Sequence, residues 1–141
     1  MSKNEYASAL SRYGDSWQSL KWNSAKQQVR EFETAVKALR MENSPGKSVL
    51  EIGAGLGHMQ EWLRANGYTN PYTGVEREPK LAIFARGKGR NVLCGTLESY
   101  ASRGDSADYV VCLGVALGYK QPVLDYAVDV CDSEDKQRRG C

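Results

Sequence analysis

Nine residues, Val49-Leu50-Glu51-Ile52-Gly53-Ala54-Gly55-Leu56-Gly57, carry the chain from a short apolar run directly into three alternating glycines. A run of this length bounded by glycine reads as a buried strand, and the glycines let it turn sharply with no Cβ in the way. Ser48–Ile52 is therefore expected to be a strand. Leu56–Asn66 is expected to be the helix that follows, with Met59, Trp62 and Leu63 on one face and Gly67 closing it. A strand turning at once into a helix is the opening of a βαβ unit.

The same alternation continues downstream. Tyr72–Val75, Asn91–Cys94 and Ala107–Leu113 read as further strands. Pro79–Arg86 reads as a helix with proline in its first turn, and Leu97–Ala101 as a turn or two of helix. Pro122–Cys131 reads as a last helix, and 132–141 as a charged tail. Upstream, Val29, Phe32, Val36 and Leu39 recur at spacings of three and four, the signature of one helical face. Asn23 or Ser24 can cap that helix, and Asn43-Ser44-Pro45-Gly46 ends it. A short helix over Tyr6–Leu10 is the only element expected before it. Alternating strands and helices imply right-handed crossovers and a parallel sheet with helices on both faces. The chain divides into an N-terminal helical segment (1–46), an α/β domain (47–131) and the tail (132–141).

Composition removes several classes of function. Nineteen basic and 17 acidic side chains leave a formal charge of +2, which makes no electrostatic case for nucleic acid or an anionic membrane. No apolar run approaches the roughly 18 residues of a membrane span, and the first residues lack the apolar core of a signal peptide. The four cysteines (94, 112, 131 and 141) form no C-x-x-C pair, and His58 is the only histidine, so no metal site is expected. Cys94 and Cys112 lie in apolar runs and read as buried free thiols, which suits a reducing, cytoplasmic compartment.

Parallel sheets of this kind bind ligands beyond the carboxyl ends of their strands. Gly53 and Gly55 let backbone N–H groups approach such a ligand. A dinucleotide loop reads G-x-G-x-x-G, whereas here the third glycine is Gly57 and His58 follows it. Glu51 also stands two residues before the first glycine. An acid there repels a pyrophosphate but suits a cationic amino acid moiety, which favours S-adenosylmethionine over a nicotinamide dinucleotide. Glu76 ends the second strand 19 residues past Gly57, where a carboxylate holds a ribose diol. Thr96 reads either as a hydrogen-bond partner for an adenine amino group, with Leu97 against the ring, or as a plain strand-to-helix turn. His58 reads as an exposed residue opening its helix, or else as a base near the ligand. Trp17 and Trp22 read either as a lid or as packing against the sheet edge.

From Lys47 to Gly118 the chain resembles the class I S-adenosylmethionine-dependent methyltransferase family. Val49–Gly57 is similar to the family's first motif, acid-x-G-x-G-x-G. Glu76 matches its ribose-binding acid, Gly95-Thr96 falls where Gly-Asp is common, and Asp108–Val111 looks like its fourth strand. Trp22-Asn23-Ser24 with Arg30 and Phe32 is similar to the entry helix of small bacterial and phage members. The resemblance implies a Rossmann-like three-layer sandwich whose parallel sheet has about four strands in the order 3-2-1-4. It implies S-adenosylmethionine as cofactor, bound by Glu51, Gly53, Ala54, Gly55, Gly57, Glu76, Arg77, Thr96, Leu97 and Leu113.

Two departures stand out. Thr96 replaces the usual aspartate, and the sequence supplies about four strands of a seven-stranded family fold, so the chain reads as C-terminally truncated. The edge of the fourth strand is then expected to self-associate or to take a partner. The substrate motifs of the DNA-methylating branches are missing. Leu113-Gly114-Val115-Ala116 occupies the place of the polar-Pro-Pro-aromatic tetrad, and Cys112 follows valine where a cytosine enzyme has Pro-Cys. The expected function is methyl transfer to a small molecule or protein acceptor, with no catalytic residue assigned. The alternative is a truncated, inactive cofactor-binding or interaction module.

Overall fold

The computed structural model describes residues 3–20, 22–102 and 107–113. Four parallel strands form one sheet in the order β3-β2-β1-β4: β1 (Val49–Ile52), β2 (Tyr72–Glu76), β3 (Val92–Cys94) and β4 (Tyr109–Val111). The expected strand order is the observed one. Among the described residues five α-helices accompany the sheet: α1 (Lys3–Tyr13), α2 (Ala25–Leu39), α3 (His58–Ala65), α4 (Pro79–Gly87) and α5 (Leu97–Ser102). The helix expected at Tyr6–Leu10 is longer than its weak periodicity suggests, and it packs against α4. Residues 114–141, including the expected helix Pro122–Cys131 and the tail, lie outside the described residues.

β1 is central, flanked by β2 and β4, and all four of its residues are buried. That explains why its sequence is a continuous run and not an alternation. Its two faces meet different helices. Val49 joins Phe32 and Val36 of α2 and Met59 and Leu63 of α3, whereas Leu50 and Ile52 join Leu97 and Tyr100 of α5. Ser24 caps α2 by accepting a hydrogen bond from the Gln27 amide, and Arg40 leaves the helix in the left-handed conformation. Trp22 packs edge-on to Phe32 of α2 (centroids 6.4 Å apart), a contact with a helix and not with the sheet edge. Asp108, just ahead of β4, accepts from the Ser48 amide at 2.9 Å and its own amide donates to Ser48 Oγ at 3.0 Å, fixing the register of β4 on β1.

One expected burial is corrected. Cys94 is exposed, because it ends the short β3 where the chain leaves the sheet; Cys112 is half-buried. Among the described residues no helix is long and apolar enough to cross a membrane.

Candidate functional site

β1 delivers the chain to its glycines at the carboxyl end of the sheet. Gly53, Gly55 and Gly57 have φ of 68°, 59° and 74°, the left-handed region that favours glycine. Gly57 is needed for a second reason. A Cβ there would stand 2.9 Å from Val92 Cγ2 and 3.2 Å from Arg90 Cβ, so only glycine lets α3 begin so close to β3.

The expectation that the loop amides face a ligand is corrected. The amides of Gly53 and Ala54 donate to Val75 O (2.9 and 3.1 Å), that of Gly55 to Glu76 Oε1 (3.0 Å) and that of Gly57 to Ala54 O (3.0 Å). A diphosphate cradle needs such donors free. Here they are consumed within the protein, the buried acids Glu51 and Glu76 stand beside the turn, and the one buried cation near it among the described residues, Arg90, is already paired with Asp15 and Glu61. A cationic, hydroxyl-bearing ligand fits this donor set better than an anionic one.

Glu76 ends β2 with its carboxylate braced by two amides, Gly55 N–H on Oε1 and Glu78 N–H on Oε2 at 2.8 Å. Burial raises its pKa from the ordinary carboxylate value, against those two hydrogen bonds. Glu51, in β1, is 5% exposed. Tyr72 donates its hydroxyl to Glu51 Oε1 at 2.5 Å. Burial pushes the Glu51 carboxyl up to about 8; the Tyr72 hydrogen bond opposes the rise and the nearby Glu76 adds to it. Burial therefore favours the protonated form of Glu51, and among the described residues no cation pairs with it.

The other candidates are placed as follows. Ala54 is buried against Ala82, Ala85 and Val92. Arg77 is exposed, and its charge opposes the rise at Glu76. Thr96 is exposed and exchanges hydrogen bonds with Ser99, each side chain accepting from the other's amide (3.1 and 2.9 Å) at the start of α5. That is the helix-start reading of Thr96, with the hydroxyl already engaged. Leu97 is only 6% exposed and belongs to the core beneath α5, not to an open ring-binding face. Leu113 is half-buried against the opposite core, beside α2 and α3.

Sequence reasoning missed the cluster beside the loop. Arg90 is 8% exposed, pairs with both oxygens of Asp15 at 2.8 and 2.9 Å, and donates to Glu61 Oε1 and to the Leu56 carbonyl. His58 meets Asp15 Oδ1 at 2.8 Å through Nε2 and Gln28 Nε2 at 2.8 Å through Nδ1. The expectation of an exposed His58 is corrected: its side chain is 16% exposed because the N-terminal segment folds over it. Asp15 is held down to a pKa of about 2, chiefly by the Arg90 hydrogen bond and also by that from His58. Leu20 covers Gly55, its Cδ2 3.0 Å from where a Cβ would stand. No local motif signals these contacts, because Asp15 and Arg90 are 75 positions apart. A cleft of about 390 Å³ lies at the other end of the sheet, between the end of α3 and the start of β2, and contains none of the loop residues. Among the described residues no group of three or more His, Cys, Asp or Glu could hold a metal.

A four-stranded parallel sheet in this order, with a glycine turn after its central strand and an acid ending the next, is a Rossmann-like α/β domain of the methyltransferase kind. Residues 50–128 match the family described as methyltransferase domain, and the chain belongs to that family, whose cofactor is S-adenosylmethionine. The fold is similar to that of the plantazolicin methyltransferase BpumL in complex with SAH, with TM-score 0.57 and 17% identity over 91% of this chain and 54% of that one. It is also similar to BpumL in complex with a triazolic desmethylPZN analog and SAH, with TM-score 0.58 and 16% identity over 92% and 53%. The chain thus spans about half the length of the structures it matches. Comparison with curated protein sequences finds no match.

Proposed function

We propose that this chain binds S-adenosylmethionine at the carboxyl end of β1 and β2 and serves methyl transfer to a small-molecule or protein acceptor. The observation that carries the reading is the pairing of two buried acids, Glu51 and Glu76, with a glycine loop whose own amides are occupied. Glu76 suits the ribose hydroxyls, because its two backbone hydrogen bonds leave each oxygen a further lone pair. Glu51 suits the α-amino group of the methionine moiety. Gly53, Ala54, Gly55 and Gly57 shape the turn; the exposed Arg77 and Thr96, past the ends of β2 and β3, and Leu97 and Leu113, packed on opposite faces of the sheet, complete the proposed set. The packed position of Leu97 gives it the weakest claim to touch the ligand.

When bound, the cofactor supplies a methyl group made electrophilic by its sulfonium. The work left to the protein is to hold that group and an acceptor in line and to exclude water. Leu20 over Gly55, with Asp15 anchored on Arg90 and His58, shields the loop from one side. The plantazolicin enzymes were solved with azole-containing analogs, which favours a small acceptor over a macromolecule. A cytoplasmic location, and association through the outer edge of β4, belong to the same proposal; light scattering in line with size exclusion tests the latter.

Calorimetric titration with S-adenosylhomocysteine and with NAD tests the cofactor reading, which requires binding of the first alone. Release of labelled S-adenosylhomocysteine with candidate acceptors tests transfer and separates an active enzyme from a binding module.

A further inference from the structure

We propose that Tyr72 is a positioning residue for cofactor binding, its hydroxyl fixing the Glu51 carboxyl to receive the α-amino group of S-adenosylmethionine. This rests on the reading above that Glu51 takes that amino group.

The arrangement follows from the sheet register. Tyr72 of β2 stands opposite Val49 of β1, and Gly74 stands opposite Glu51. To reach Glu51, the Tyr72 side chain runs along β2 past Gly74, and its hydroxyl arrives at Glu51 Oε1 at 2.5 Å. Gly74 keeps that path open. A Cβ on it would stand 2.8 Å from the Tyr72 hydroxyl and 2.6 Å from the Ala54 Cβ. The sequence Tyr-Thr-Gly on β2 thus works as one unit with Glu51 on β1. Phenylalanine would fill the same core space, since Tyr72 belongs to the core cluster that includes Val49, Met59 and Val111. The hydroxyl is retained in a residue only 6% exposed, where an unpaired O–H is costly.

The surroundings lack one charge. The groups facing this pair are Glu76 at the end of β2 and Cys112 beyond β4, whose thiol pKa is raised by burial and by Glu51, with Arg90 acting on Tyr72 from a distance. Among the described residues no cation pairs with Glu51. An incoming ammonium supplies it. The neutral carboxyl gives up its proton to solvent, the carboxylate keeps the Tyr72 hydrogen bond on one oxygen, and the ammonium of the ligand pairs with the anion. Up to one proton is released per ligand bound, the number falling as pH rises through the raised pKa of Glu51. Tyr72 favours the ionised state because its O–H bonds more strongly to a carboxylate than to an acid.

The test compares two nucleosides by calorimetry across pH: S-adenosylhomocysteine, which carries the amino acid, and 5′-methylthioadenosine, which lacks it. With the native protein, affinity for the first should rise by up to about ten-fold per pH unit between about pH 6 and about pH 8, with proton release read from the buffer dependence of the heat. Affinity for the second should stay level. Tyr72→Phe should weaken S-adenosylhomocysteine about five- to ten-fold at neutral pH, shift its rise to higher pH, and leave 5′-methylthioadenosine unchanged. In a Glu51→Gln background the same change should have no further effect. Equal weakening of both nucleosides, or an unshifted pH profile in Tyr72→Phe, would overturn the positioning role. If the native protein binds both nucleosides alike at every pH, Glu51 does not take the amino group. If it binds neither, the cofactor reading itself fails.

Discussion

The Gly55 amide donates to Glu76 Oε1 at 3.0 Å, so the turn after β1 and the acid ending β2 are parts of one hydrogen-bonded unit. The acid therefore shapes the loop before any ligand arrives. Glu76→Gln should test both roles, because an amide keeps one acceptor oxygen and replaces the other with a donor facing Glu78 N–H. Affinity for S-adenosylhomocysteine should fall about ten-fold or more, and unfolding free energy by about 1–3 kcal/mol. Unchanged affinity by calorimetry would remove Glu76 from the site.

Unliganded stability should decline as pH rises from about 6.5 to about 8. Burial raises the folded-state pKa of Glu51 from 4.5 to about 8 and raises that of Glu76. A raised carboxyl stabilises the fold while protonated in it, and that contribution is lost as pH climbs through the folded value. His58 has a lowered pKa, mainly from burial, so its contribution is fully present above its reference value of 6.5 and is lost only as pH falls. Above that reference the acids dominate. Glu51→Gln should remove most of the decline in Tm while weakening ligand binding. A Tm that stays level over this range in the native protein would contradict the buried, protonated state.

Glycine substitutions should separate by location. Gly57→Ala combines φ of +74° with contacts of 2.9 Å to Val92 and 3.2 Å to Arg90, and should cost about 2–4 kcal/mol. Gly74→Ala, which pushes on Ala54 and the Tyr72 hydroxyl, should cost about 1–3 kcal/mol. Gly87→Ala at the end of α4 meets nothing within 4 Å and should be neutral or stabilising by up to about 1 kcal/mol. Denaturant unfolding checks the order.

Asp15→Asn should loosen the N-terminal segment. It weakens the paired contacts with Arg90 and the contact with His58, while Arg90 keeps Glu61 and the Leu56 carbonyl. The expected loss is about 1–2 kcal/mol, with faster amide exchange over α1 and the turn at Trp17–Ser19 than over β1. The Asp15 contribution itself is present above 3.8 and lost as pH falls toward about 2, since its folded pKa is depressed.

The sequence by itself determined the order of strands and helices, the parallel sheet and the place of the glycine turn. Those features are local: a buried run at Val49–Ile52, glycines able to take positive φ, proline opening α4, and right-handed crossovers that leave little choice of topology. It also put acids at 51 and 76 beside the turn. Only the tertiary structure decided what those acids touch. The partners of Glu76 are loop amides, set by how β2 lies against the turn after β1. The partner of Glu51 is Tyr72, set by a register in which glycine faces the acid and leaves room for a ring. Leu97 was legible as the start of a short helix after the third strand, but its direction into the core depends on α5 packing under Leu50 and Ile52. Asp15, Arg90 and His58 carried no pattern, because a salt bridge across 75 positions exists only once the N-terminal turn has folded onto the loop. Periodicity encodes which face of an element is buried; it does not encode which polar atoms meet there, and that pairing is what makes the site.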